Sequence, residues 1–192
     1  MTIKDKDVLN FFFETGMLKR IKHEGWRAAG VEFPDSVAEH TLRAAQIGYI
    51  LADLEGYDNP ERVAAMLVFH EIGEARIGDL HRLAKSYVNA DERRAVSDQL
   101  KTFGKLGENI LSLWDEIENQ ETVAGKIAKD ADWLEQSVTA KEYMEQGFKK
   151  ARIWIENGLK MSHTKTARAL TKKLLKMNSK DWWISLKENR ER

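Results

Sequence analysis

The densest run of reactive side chains is Phe69-His70-Glu71-Ile72-Gly73-Glu74-Ala75-Arg76-Ile77-Gly78-Asp79. It closes an apolar stretch, Val63-Ala64-Ala65-Met66-Leu67-Val68-Phe69, and then sets one imidazole and three carboxylates in quick succession. At helical spacing Val63, Met66, Leu67 and His70 share a face, and Glu74 follows one turn later. Glu71 lies about 100° round the axis from His70. A core-facing stripe ending in such groups must offer them partners or a metal ion, because an unpaired buried charge is costly. The plain alternative is a hydrogen-bonded core histidine followed by a solvated helix end.

Two other segments bear on that choice. His40 falls on the stripe of Val37, Ala44, Ile47 and Leu51 and so points inward, as a core histidine bonded to a carbonyl also would. Two inward histidines on consecutive helices are harder to explain as packing than one, and antiparallel neighbours could bring them together. Further on, Ile127-Ala128-Lys129-Asp130-Ala131-Asp132-Trp133-Leu134-Glu135-Gln136 offers an acid. Asp130 falls with Val123, Ile127 and Leu134, Asp132 with Ala128 and Glu135, and spacing leaves the inward one open. The chain has no cysteine, which excludes disulfides and thiolate chemistry. Any metal must therefore rest on histidine and carboxylate ligands. Arg20, Lys22, His23 and Arg27 surround Trp26 in an irregular stretch, where cations and an indole could hold a phosphate and a base or simply anchor a surface loop.

The elements that would position these groups are helical almost everywhere. Only Pro34 and Pro60 occur, and no alternating pattern persists, which argues an all-α fold. Residues 5–15 form a short apolar helix ended near Gly16, and 17–35 a loop-rich connector. A capping box at Ser36 and Glu39 opens a second helix reaching about Leu54. Asn59-Pro60 opens a third that carries His70 and Glu71. Further helices are expected over about 90–103, 108–119, 121–146, 148–158 and 163–177. The adjacent Trp182 and Trp183 suggest a plugged groove or a subunit interface.

At 192 residues, 42% hydrophobic and 32% charged, the chain suits one soluble domain. No signal peptide or membrane span is evident, so a cytoplasmic location is expected. The formal net charge of zero hides an asymmetry: residues 149–192 carry thirteen Lys/Arg against four Asp/Glu, and the first 148 residues balance them. A basic C-terminal third could meet nucleic acid, but a solvated helical surface packed near the acidic part is the simpler reading.

The ordered set His40, His70 with its adjacent acid, and Asp132 resembles the HD-domain metal-dependent phosphohydrolase superfamily. Ser36-Val37-Ala38-Glu39-His40, Glu74, Gly78-Asp79 and Lys129-Asp130-Ala131-Asp132 are similar to its small 5′-deoxynucleotidase branch. The resemblance implies an all-α bundle of the HD type over 1–192, with 149–192 a basic extension packed on it. It implies metal ligands at His40, His70, Glu71 and Asp132, so it favours Asp132 over Asp130. The family places aspartate beside the second histidine; here Glu71, one methylene longer, takes that position. By the same resemblance Glu74 would orient the attacking water and Asp79 would contact the sugar hydroxyl. Lys85, Arg20, Lys22 and the Trp26-Arg27 pair are the expected substrate contacts, although the family order is Arg-Trp.

The implied reaction is removal of the 5′-phosphate from deoxyribonucleoside monophosphates. The ligand set suits Mn²⁺, Co²⁺ or Fe²⁺ better than Mg²⁺ or Zn²⁺. Partners would be the nucleotide and further copies of the chain, at least a homodimer, rather than membrane or nucleic acid. The competing readings are hydrolysis of another phosphate ester or a nucleotide diphosphate, and a non-catalytic helical binding module with a degenerate metal site.

Overall fold

The computed structural model describes residues 3–190; the two positions at each end of the expected 1–192 unit lie outside the described residues. Among the described residues ten α-helices follow one another, with short 3-10 turns between some of them: α1 (Asp5–Thr15), α2 (Val37–Leu54), α3 (Pro60–Phe69), α4 (Glu74–Ile77), α5 (Glu92–Leu100), α6 (Lys105–Asn119), α7 (Val123–Glu145), α8 (Arg152–Met161), α9 (Lys165–Leu174) and α10 (Asp181–Arg190). Among the described residues there is no strand, only an isolated bridge between Lys22 and Ser36. The fold is all-α, as the spacing predicts.

The long α7 is the axis of the molecule, with α2, α3, α6, α8 and α9 packed around it. Its small residues Ala124, Ala128 and Ala131 are buried against Leu51, Val63, Met66, Leu67 and Ile117. Gly48 lets α2 and α3 close on each other, since a Cβ there would lie 2.2 Å from Leu67 Cδ1. A second apolar cluster joins Phe11, Ile72, Val96, Leu100, Phe103, Ile110 and Trp114 beneath the turn after α3. A third gathers Trp26, Val31, Ala140, Tyr143 and Ile155 round the other end of α7.

The starts of α2, α3 and α7 are fixed by side chains. Ser36 and Glu39 form the reciprocal capping box, Asn59 accepts from the Arg62 amide, and Thr122 accepts from the Gly125 amide. The end of α3 differs from the sequence expectation. The helix stops at Phe69, and His70–Gly73 turn tightly before α4 resumes at Glu74. The carbonyls that would continue the helix are diverted: Leu67 O accepts from the His70 ring and His70 O from the Trp114 indole. Ile72 is thereby driven into the second apolar cluster.

The C-terminal third is tied to α7 by a buried acid. Asp130, fully buried, accepts hydrogen bonds from the amides of His163 at 2.7 Å and Thr164 at 2.6 Å, just ahead of α9. Gly158 of α8 meets α7 so closely that a Cβ would lie 2.4 Å from Ser137 Oγ. The stretch holding Trp182 and Trp183, left without a structure by the sequence pattern, is helical, and both indoles are exposed.

Candidate metal and phosphate site

His40, one turn into α2, and His70, at the end of α3, turn their imidazoles toward each other in the interior. Their Nε2 atoms lie 3.4 Å apart, and both residues are buried. Each ring is fixed through its other nitrogen. His70 Nδ1 lies 2.6 Å from Leu67 O and His40 Nδ1 2.5 Å from Glu135 Oε2. A carbonyl can only accept, so His70 carries a proton on Nδ1; a carboxylate makes the same demand of His40. In the neutral rings both Nε2 lone pairs then face the shared space, the arrangement a metal-binding histidine needs.

Asp132 of α7 completes the group. Its Oδ1 lies 3.3 Å from His40 Nε2, and one donor atom each from His40, His70 and Asp132 all fall within 4.8 Å of one another. Asp130, two residues earlier, faces the other way and serves α9. The choice that spacing left open is therefore settled by which side of α7 each neighbour occupies. Around Asp132, Lys129 Nζ stands 3.1 Å from Oδ2 and Gln136 donates to Oδ1 at 2.8 Å. Behind His40, Arg43 donates to Glu135 and Glu142, and Thr139 donates to Glu135.

Burial opposes charge on all these groups, but the pairings outweigh it. Hydrogen bonds donated by the His40 ring to Asp132 and Glu135 hold it well above the ordinary imidazole value, and Glu71 raises His70. Lys129 and His40 hold Asp132 well below the usual carboxylate range. A cation at this place would compete with protons for the same two imidazoles, and its binding would release protons.

Glu71 stands at the margin of the group. Its Oε1 is 3.1 Å from His70 Nε2, yet it is not among the three side chains whose donor atoms all lie within 4.8 Å. Beyond it the wall is acidic. Glu74 is only 7% exposed and its Oε2 has no hydrogen-bond partner. Burial, followed by Glu71, Asp79 and Glu92, pushes its pKa up to about 10. Burial also raises Asp79, whose Oδ2 accepts from the Glu24 amide at 2.6 Å. Lys85 lines a pocket of about 280 Å³ together with Glu74, Gly78, Asn89 and Glu92. Glu92, which the sequence reading passed over, is pushed up to about 7 by burial and by Glu71. Gly73 makes room for it, since a Cβ there would meet Glu92 Cγ at 2.8 Å.

The connector before α2 does not bring all its expected contacts to this place. Trp26 is 1% exposed and packs between Tyr143 and Trp154, with ring centroids 5.2 and 4.4 Å away. Its indole is a core element with no free face for a base. Arg27 is exposed and bonded to Glu24 and to Glu32 O, and Arg20 reaches Met17 Sδ. Lys22 pairs its backbone with Ser36 and lies near Glu39. The connector residue that does come near is His23, whose ring centroid is 4.7 Å from that of His40.

A sequence profile of the HD domain matches residues 15–174 of the chain. The chain is 34% identical to 5′-deoxynucleotidase HDDC2 of Dictyostelium discoideum over 148 residues, covering 72% of this chain and 78% of that one. It is 31% identical to the protein of the same name from Xenopus laevis over 150 residues, covering 73% and 71%. Among solved structures, a conserved hypothetical protein from Pyrococcus furiosus superimposes with a TM-score of 0.72 at 27% identity, over 88% of this chain and 99% of that one.

Proposed function

Because the chain belongs to the HD-domain family, we propose that it is a metal-dependent phosphomonoesterase that removes the 5′-phosphate from deoxyribonucleoside monophosphates. The observation that carries this reading is the convergence of the two Nε2 atoms with Asp132 while both Nδ1 atoms are tied off behind them. The donor chemistry fits a divalent transition metal: imidazole nitrogen and carboxylate oxygen, preset in tautomer and orientation. The names of these relatives support the substrate class.

In this reading His40, His70 and Asp132 hold the ion, with Glu71 as the fourth ligand, and Mn²⁺, Co²⁺ or Fe²⁺ suits them better than Mg²⁺ or Zn²⁺. A divalent ion there would supply charge neutralisation for the phosphoryl group and activation of a water molecule. Glu74 orients that water and takes its proton through the carboxylate oxygen that has no partner. Lys85 favours the charged form that this step needs, against burial, Glu71, Asp79 and Glu92, and a divalent ion held nearby would favour that form too. Asp79, anchored by the Glu24 amide, accepts from the sugar hydroxyl. Lys85 meets the phosphate as a point charge.

The same reading takes residues 1–192 as one HD-type unit with 149–192 a basic extension, supported by the Asp130 clamp on α9 and the packing of α8 on α7. It also takes copies of the chain to associate through α10, whose Trp182 and Trp183 are exposed. Light scattering that returns the mass of one chain at every concentration rejects that association. A cytoplasmic location completes the reading and is tested by cell fractionation.

The decisive assay is phosphate release from a panel of nucleoside monophosphates, other phosphate esters and diphosphates with Mn²⁺, Co²⁺ or Fe²⁺, beside Asp132→Ala. Release from deoxyribonucleoside monophosphates by the wild-type protein, lost in Asp132→Ala together with the bound metal, is the expected outcome. Equal, negligible release from both proteins with every metal rejects the phosphatase reading.

A further inference from the structure

With Trp26 in the core, Arg20 and Arg27 bonded elsewhere and Lys22 beside Glu39, His23 is the connector side chain that lies against His40. Its ring is held on two sides, 4.7 Å from His40 and edge-on to Trp26 at 6.0 Å and 85°. Its backbone is pinned, the His23 amide donating to Asp35 O at 3.0 Å. The next residue, Glu24, donates its own amide to Asp79, which ties this stretch of the connector to the acidic wall. Lys85 lines the pocket that it shares with Glu74 and Glu92. Lys129 is already held between Asp132 and Glu118.

The ring's two nitrogens are not equivalent. Nδ1 is buried and has no partner, while the residue as a whole is half-buried. A proton on Nδ1 would leave a buried N–H orphaned, and orphaned donors are rarer in folded proteins than under-used acceptors. The neutral tautomer therefore carries its proton on Nε2, leaving an N–H donor for an incoming ligand. A phosphoryl oxygen is the acceptor that the site's own chemistry brings to this position.

We infer that the His23 imidazole is the connector's hydrogen-bond donor to the phosphoryl group, standing on the His40 side of the site as Lys85 stands on the Glu74 side. The inference rests on the phosphatase reading and specifies what holds the phosphate in it. His23 does not touch the ion in this arrangement; its place is on the substrate.

The test compares wild type with His23→Ala, His23→Gln and His23→Arg, each loaded with the same metal and checked for metal content. Two probes are used: a deoxyribonucleoside 5′-monophosphate in turnover and inorganic phosphate in equilibrium binding. His23→Ala is expected to keep its metal, to raise KM and the phosphate dissociation constant about tenfold, the scale of one hydrogen bond to a charged group, and to change kcat less. His23→Arg, which keeps a donor, is expected to recover much of that loss, and His23→Gln to fall between. Unchanged KM and phosphate affinity in His23→Ala overturn the inference and leave the phosphatase reading standing. Loss of metal in His23→Ala and in His23→Gln also overturns it, by assigning the ring to the support of His40. Phosphate binding that weakens in His23→Ala although the wild-type protein turns over no nucleotide retains the contact and rejects the phosphatase reading. A wild-type protein that binds neither probe overturns both.

Discussion

The two walls of the site are satisfied to different degrees. On the α2–α7 side, His40, Glu135, Arg43, Asp132, Lys129 and Gln136 are joined in one continuous hydrogen-bonded and ion-paired group. On the opposite side, from His23 through Asp79 and Glu74 to Glu92, polar groups are buried without full company. Glu74 Oε2 and His23 Nδ1 have no partner, and Glu74, Asp79 and Glu92 are all pushed above their ordinary values. The first wall resembles a finished holder, rigid before anything binds. The second stores unpaired polarity whose partners would arrive with a ligand in the proposed function, a cost tolerated where a site must bind and release.

Substitutions on the two walls should therefore fail differently. On the unsatisfied wall, Glu74→Gln removes the proton acceptor without altering size. It should lower kcat by about 10²–10⁴-fold, the range for a lost general base, with metal content and melting temperature close to wild type. Because a neutral amide also relieves a buried acid of its neighbours Glu71, Asp79 and Glu92, the variant should be no less stable than the parent. A large loss of metal instead would move Glu74 to the other wall and break the contrast. On the satisfied wall, Glu135→Gln keeps the shape but weakens the grip on His40 Nδ1 and leaves Arg43 without one charge partner. Metal affinity should fall about 10–100-fold, the usual penalty for losing an outer partner of a metal-bound histidine. Activity should recover at saturating metal. Calorimetric titration separates this from a direct effect on turnover, and metal affinity equal to wild type would deny Glu135 its supporting role.

The same contrast explains what was legible in the sequence. His40 could be read because α2 has one apolar face and an unmistakable start, so a 3.6-residue period places its side chains. The ambiguity between Asp130 and Asp132 arises because α7 is buried on several sides, and both acids lie inside. Only the positions of α2 and α9 tell them apart, one acid meeting His40 and the other the start of α9. The break after Phe69 was hidden for a related reason. The bonds that stop α3 come from His70's own ring and from Trp114, forty-four residues away. The connector was the least legible part: cations near a tryptophan suggest a phosphate and base site, but Trp26 is consumed by the core. Glu92 offered no signal at all, being an ordinary helix-start acid until Gly73 admits it to the site.

Glu71 belongs to neither wall, and the smallest expected effect lies there. Its Oε1 is beside His70 Nε2, yet it stands outside the tight trio formed by His40, His70 and Asp132. One extra methylene moves a carboxylate by about a bond length, while metal–ligand distances tolerate only about 0.2 Å. If Glu71 ligates, it does so from a position that a shorter side chain could improve or overshoot. Because the turn at His70–Gly73 is held by Leu67, Trp114 and Gln99 bonds to its backbone and to the His70 ring, the backbone cannot easily move to compensate. Glu71→Asp keeps the charge that raises Glu74 and Glu92 and should therefore keep the metal, raising its affinity a few-fold and the rate of phosphate release with it. Metal titration alongside phosphate-release kinetics measures both consequences. If both match wild type, residue 71 is outside the ligand set, and the ion rests on the two imidazoles and Asp132 with its remaining positions open to water and phosphate.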